Sequence, residues 1–270
     1  MSEIAIIGLG AIGGSLALDL LANGERVIGY DVDDRALEWA RAHNLEAHKW
    51  NDRAPATARV VIAVPVHQSE SVLRALAGRS DYEMITDVSS TKRKIIREAS
   101  DSGLAHCFVG AHPLAGTHES GANAARAGLF RDREVFLCAS PASSDAAVEA
   151  ANSLWNSVGA HVVAIDEETH DREIAWISHL PQLTANSLAL ALKAAGLPHE
   201  CLGPGGRDMT RLAGSNAEVW QGVLQANGDM LDEPLACMID ALSELREVLR
   251  RGDASSLTAA LRSSQSWYGA

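Results

Sequence analysis

The chain has 270 residues, with 23 Lys and Arg against 35 Asp and Glu, so its formal charge is −12 with histidine neutral. That length supplies core for two domains, while the acidic balance, without a basic cluster or interleaved aromatics, argues against a nucleic-acid groove. No apolar stretch approaches the roughly 20 residues of a membrane span. The four cysteines, Cys107, Cys138, Cys201 and Cys237, lack C-x-x-C spacing and read as reduced, mostly buried packing residues, not metal ligands or a disulfide framework. The sequence enters its first apolar run at once, with no basic and apolar leader before it, so a cytoplasmic location is expected.

The apolar run 4–7 leads into Gly8-Leu9-Gly10-Ala11-Ile12-Gly13, a G-x-G-x-x-G loop that opens a helical pattern over 12–23. In a βαβ unit Gly8 permits the tight turn, Gly10 lets a pyrophosphate approach the backbone, and Gly13 packs the helix closely on the strand. The phosphates would then lie at the helix N-terminus, over Ala11 and Ile12. Asp31 ends the next apolar run, where an acid would bind the adenosine ribose hydroxyls. With Asp33 and Asp34 it would repel a 2′-phosphate, so NAD is expected over NADP, Arg35 being the nearest opposing cation. The alternative is a βαβ turn with a purely structural role.

Further strands are predicted at 26–31, 59–64, 83–87, 106–110, 133–138 and 160–164, after the first at 3–8. Helices intervene at 34–43, 68–77, 91–102 and 144–157. Pro65 stops the run 60–64, which resembles a buried central strand, and is counted with the cofactor site. After about residue 165 strand signals vanish. A long helical pattern runs to about 195, punctuated by Pro181, which should kink it; further helices are expected at 207–213, 216–226, 229–251 and 254–265. The expected architecture is a Rossmann-type, doubly wound, mostly parallel sheet over 1–165, followed by an all-helical domain over 166–270. Its apolar faces exceed what one such domain buries, which points to a homodimer.

Ligands of such sheets bind beyond the carboxyl ends of the strands. Two polar segments leave those ends: Asp87-Val88-Ser89-Ser90-Thr91-Lys92, and Gly110-Ala111-His112-Pro113-Leu114-Ala115-Gly116-Thr117-His118. His112 would serve as a general base oriented by a serine hydroxyl, or else as an ordinary polar loop residue; Ser89 and Ser90 are also normal helix N-caps. On the long helix His179, Gln182 and Asn186 share one side, as a site or as an internal network or subunit contact. Arg207 and Arg211, four residues apart, would meet one anion together or decorate a solvated face.

Together these segments resemble the prephenate/arogenate dehydrogenase family of tyrosine biosynthesis. The resemblance rests on Gly8-Leu9-Gly10-Ala11-Ile12-Gly13-Gly14-Ser15-Leu16, Asp87-Val88-Ser89-Ser90-Thr91-Lys92, Gly110-Ala111-His112-Pro113-Leu114-Ala115-Gly116, Ser178-His179-Leu180-Pro181 and Arg207-Asp208-Met209-Thr210-Arg211. It implies an NAD-dependent oxidative decarboxylation of a cyclohexadienol, with no metal. It further implies His112 as the base or hydroxyl acceptor, Ser90 as its partner, His179 near nicotinamide and substrate, and Arg211 gripping the ring carboxylate. It is a resemblance to short members, without an ACT or fused chorismate mutase domain. Gln182 stands where many prephenate-using members carry histidine, and His118 where some carry glutamate, which tilts the expectation toward arogenate or use of both substrates. A β-hydroxyacid dehydrogenase would be expected to offer a lysine base on the long helix, where this chain has His179 and Gln182; a non-catalytic dinucleotide sensor would not need His112 beside Ser90.

Overall fold

The computed structural model describes residues 3–116 and 121–269. Eight strands form one sheet among them: β1 (Glu3–Ile7), β2 (Arg26–Asp31), β3 (Glu46–Lys49), β4 (Arg59–Ile62), β5 (Met84–Asp87), β6 (Phe108–Pro113), β7 (Glu134–Ala139) and β8 (His161–Ala164). They lie in the order β3-β2-β1-β4-β5-β6-β7-β8. The first six are parallel; β7 runs antiparallel to β6, and β8 parallel to β7. Chain order reverses direction between β1 and β4, which opens a crevice at their carboxyl ends.

The central strands are continuous apolar runs because helices cover both faces. Ile4, Ala5 and Ile6 of β1 and Val60, Val61 and Ile62 of β4 are fully buried. Helices α1 (Ala11–Ala22), α2 (Asp34–Ala42), α3 (Val66–Leu76), α4 (Arg93–Asp101) and α5 (Asp145–Ser157) supply the cover, and a core cluster forms on each side of the sheet. Trp155 of α5 packs edge-on against Phe130, their ring centroids 5.4 Å apart.

Two features differ from the sequence expectation. β3 was not anticipated: Glu-Ala-His-Lys is short and polar, which suits an edge strand whose charges discourage further pairing. β6 extends beyond 110 because its last residues pair with β7, His112 opposite Phe136 and Pro113 opposite Val135. His112 therefore sits in a strand, more rigidly than a loop would hold it.

Beyond β8 the described chain is helical: α6 (Glu167–Ile174), α7 (Leu180–Ala194), α8 (Pro204–Thr210), α9 (Ala217–Ala226), α10 (Asp232–Arg251) and α11 (Ala254–Tyr268). Asp166 caps α6 through the Thr169 amide. Between α6 and α7 the helix widens into a π turn, Ala175–His179, just before Pro181, where the proline offers no amide and its ring needs room against the preceding turn. The irregularity expected at Pro181 thus appears one turn earlier, as widening. In α10 only Pro234 is buried and in α11 nothing is, so Ile239, Leu242, Leu249 and Leu261 stand exposed in the single chain. Cys107 and Cys138 are buried as expected; Cys201 and Cys237 are exposed, because they fall on these less covered helical segments.

Trp155→Ala should cost about 3–5 kcal/mol through the cavity left between α5 and the sheet. Urea denaturation reads this as a lower midpoint; a loss under about 1 kcal/mol would mean that the surroundings collapse to fill the gap.

Candidate active site

The glycine loop fills the crevice between β1 and β4. Gly8 has φ +99°, and a Cβ there would run into the Ala63 carbonyl; a Cβ on Gly13 would run into the carbonyl of Gly8. Among the described residues nothing lies within 4 Å of the position a Gly10 Cβ would take, so the loop is tight below and open above. α1 begins there with no described side chain capping its first amides and no acid in its first turn, leaving donors and the positive end of the dipole for an anion. Asp31, at the end of β2, accepts from the Leu9 amide (2.6 Å) and the Asp33 amide (2.8 Å). It pins the glycine loop, and a carboxylate with about four acceptor sites still has capacity for hydroxyl groups. Arg35 is held by Asp33 at 3.0 Å, away from the role of a free counter-charge.

Two cavities of about 430 Å³ each share Gly10, Ala63, Val64, Pro65 and Gly121, and so form one groove bent over the glycine loop. One arm holds Asp31, Tyr30 and Trp50, the two rings meeting edge to face at 6.1 Å. The other holds Ile12, Ser90, His112, Ser215, Asn216 and Trp220. Open amides, a carboxylate and an aromatic wall in this sequence fit a dinucleotide, and Gly8, Gly10, Ala11, Ile12, Gly13, Asp31 and Pro65 all lie along the groove or shape its loop.

His112 is placed by a fully buried ion pair. Lys92 Nζ donates to both oxygens of Asp87 (2.7 and 2.6 Å) and to the Ala111 carbonyl (2.7 Å), while Asp87 accepts from the Ala111 and Ser89 amides. Both backbone groups of the residue before His112 are thereby clamped. The His112 Nδ1 lies 2.9 Å from His170 Nε2, and His170 Nδ1 lies 2.8 Å from Asp171 Oδ1. Asp171 also accepts from the Lys92 and Arg93 amides at 2.7 and 3.0 Å, so a carboxylate of α6 caps α4. Burial raises the Asp171 carboxyl, but His170 and these two amides outweigh it and hold its pKa below the usual carboxylate range. Burial, and after it the neighbouring His170, Lys92 and His179, hold His112 well below an ordinary histidine, so it is neutral at pH 7.

Several expectations are redirected by this geometry. Ser90 lines the cavity with His112, yet the hydrogen bond at Nδ1 is shared with His170, and the cap of α4 comes from Asp171 in place of Ser89 or Ser90. His179 does not reach the cavity wall. It is fully buried, 3.3 Å from Asn227 Nδ2 and edge-on to Trp220, which is the wall residue. Gln182 is also buried: its amide donates to Asn186 and to the Leu212 carbonyl (2.8 Å) and accepts from Ser215 (3.4 Å), so it braces the wall segment and does not itself line the cavity. Arg207 donates to the Leu202 and Glu200 carbonyls and braces its own turn, so it does not share an anion with Arg211. Arg211 is exposed, without a partner among the described residues, in the short turn leading to Ser215. His118 lies outside the described residues.

Sequence reasoning assigned no role to His170, Asp171, Trp220, Asn227, or the Asp87–Lys92 pair. Asp87 and Lys92 stood in a quoted motif, and two opposite charges following an apolar strand were the available signal; His170 and Trp220 had none, because their partners are distant in sequence.

A doubly wound sheet with a cradle suited to a dinucleotide and a neutral, half-buried histidine beside it is the arrangement expected of a nucleotide-binding oxidoreductase. Residues 16–164 match the model for the prephenate dehydrogenase nucleotide-binding domain, and residues 166–263 that for the prephenate dehydrogenase dimerization domain. The chain is 34% identical to a prephenate dehydrogenase of Bacillus subtilis, covering 94% of this chain and 72% of that one. It is 32% identical to a cyclohexadienyl dehydrogenase of Zymomonas mobilis, covering 97% and 94%. Among solved structures, prephenate dehydrogenase from Aquifex aeolicus in complex with hydroxyphenyl propionate and NAD+ superposes with a TM-score of 0.90 at 24% identity, covering 98% and 96%. The chain belongs to the prephenate dehydrogenase family and is a dehydrogenase.

Burial lowers the pKa of His179 to about 4, against 6.5 for the free group. The unfolded chain therefore binds a proton that the folded chain refuses between these values, and stability is lost as pH falls from 6.5 to 4, by about 3 kcal/mol from this group. His179→Gln should flatten that part of a stability–pH curve measured by urea denaturation; an unchanged slope would show that His179 titrates freely in the fold.

Proposed function

We propose that this chain carries out the NAD-dependent oxidative decarboxylation of arogenate or prephenate, and that it does so as a homodimer. The observation that carries this reading is His112, held neutral in a strand, on the wall of a cavity continuous with the dinucleotide groove. Bound NAD would supply the hydride acceptor. His112 takes the proton of the ring hydroxyl as hydride leaves the same carbon, and loss of carbon dioxide returns its bonding electrons to the ring, which becomes aromatic. The proton ends on the phenol oxygen, so the overall conversion neither consumes nor releases one.

Asp31 would receive the adenosine ribose, Tyr30 and Trp50 would wall the purine, and the α1 amides would meet the pyrophosphate. Ser90 and Trp220 would bound the ring of the substrate. Arg211, in the turn that leads to the wall residue Ser215, would reach the ring carboxylate from beyond the wall, since Arg207 is committed to carbonyls. No lysine or arginine stands on the cavity wall among the described residues. In a chain of charge −12 that favours arogenate, whose side-chain ammonium removes one net negative charge relative to prephenate. The family's dimerization-domain match and the uncovered faces of α10 and α11 support the homodimer.

Formation of NADH, followed by absorbance with each substrate and each cofactor, tests the reading. Activity is expected with NAD and arogenate, weaker with prephenate, and His112→Asn should lower turnover at least roughly a hundredfold with NAD affinity nearly unchanged. No NADH with either substrate, or full turnover in a folded His112→Asn variant, would contradict it.

A further inference from the structure

The three groups His112, His170 and Asp171 form a line of hydrogen bonds whose direction follows from Asp171 when His170 carries a single proton. Asp171 has its pKa held low and is an acceptor only. Its short contact to His170 Nδ1 therefore requires the proton on that nitrogen. With that single proton on Nδ1, His170 has its lone pair on Nε2, and the 2.9 Å contact from His112 Nδ1 then places the His112 proton on Nδ1. What remains on His112 is an unprotonated Nε2, the form a base must have.

Burial makes the line more than a positioning device. His170 and Asp171 are fully buried, Phe136 packs edge-on to His170 with centroids 5.5 Å apart, and Lys92 and His179 are the other charged or titratable groups acting on His112. A cation on His112 would face Lys92 with no carboxylate in contact among the described residues; a cation on His170 would lie against Asp171. We propose that His170 and Asp171 fix the reactive tautomer of His112 and then store the proton it removes, returning it before the product leaves.

This rests on the dehydrogenase reading above. The substrate O–H bond breaks as an N–H bond forms at His112 Nε2; the His112 Nδ1–H bond breaks as one forms at His170 Nε2. His170 is then the cation, its Nδ1–H still on Asp171. The same steps reversed protonate the oxygen of the aromatic product, so no proton crosses to solvent. A closed, buried store suits a reaction with no net proton change. His170 and Asp171 are positioning residues in this scheme; His112 alone meets the substrate.

Nitrogen-15 NMR of histidine-labelled free protein at pH 7 tests the tautomer without any turnover, with His112→Gln and His170→Gln assigning the signals. Both His112 and His170 are expected as the Nδ1–H form, the less common one for free histidine. A second arm uses Asp171→Asn and His170→Gln. Asp171→Asn should shift His112 toward the Nε2–H form and lower kcat roughly tenfold to a hundredfold with KM nearly constant. His170→Gln keeps an acceptor for His112 but cannot carry the cation, so it should retain the His112 tautomer and still lose kcat. A predominantly Nε2–H His112 in the native protein overturns the proposal, as does full kcat in His170→Gln. The expected tautomers without oxidation of either substrate would support the tautomer lock and overturn the functional reading and the proton store.

Discussion

The buried pair between Lys92 and Asp87 is the constraint on which the site depends. Both side chains are fully buried, and the lysine contacts both carboxylate oxygens. Removing two charges from water costs several kcal/mol per ion, and the pair offsets this only because every remaining hydrogen-bonding capacity is used well. Here it is used on backbone: the Ala111 amide and carbonyl, and the Ser89 amide. The pair therefore joins the loop after β5 to the end of β6 and fixes the peptide that presents His112. An apolar substitute would pack, but it could not hold a specific amide and carbonyl at once.

A second constraint ties the helical region to this clamp. Asp171 reaches from α6 to cap α4 at Lys92 and Arg93, and Asn227 at the end of α9 bonds the Asp171 carbonyl (2.7 Å) while approaching Arg93 and His179. Arg93 completes the bridge with an ion pair to Asp229 at 2.6 Å. Electrostatics, helix capping and domain packing thus meet within a few residues of the histidine pair. Trp220, on the same helix α9, becomes a wall of the cavity because that helix is docked in this way. Gln182 does similar work further out, bracing Ser215 from α7.

Much of the fold was legible because it is written in local patterns. The glycine loop, the apolar runs of β1, β2 and β4 and the acid at Asp31 each express a short-range requirement: a turn, a buried strand, a strand end that pins the loop beside it. The edge strand β3 was not legible, since four polar residues carry no periodicity to read. His112 and Ser90 were singled out because they stand just beyond the apolar runs of strands, and an apolar run is a sequence property. Their partners were misassigned because partnership is not: His170 is 58 residues from His112, and only the docking of α6 brings them together. The arginine pair was misread in the same way, since spacing of four places both on one helix face but says nothing about the carbonyls of residues 200 and 202 that claim one of them.

The clamp's role in catalysis is open to a direct measurement: a double-mutant cycle of Lys92→Met and Asp87→Asn, read as kcat/KM for the proposed reaction. If the pair acts as one unit holding Ala111, each single change should lose nearly as much as both together, with a coupling energy of about 2 kcal/mol or more. Losses that simply add would show two independent contributions, and would contradict the claim that this ion pair positions His112.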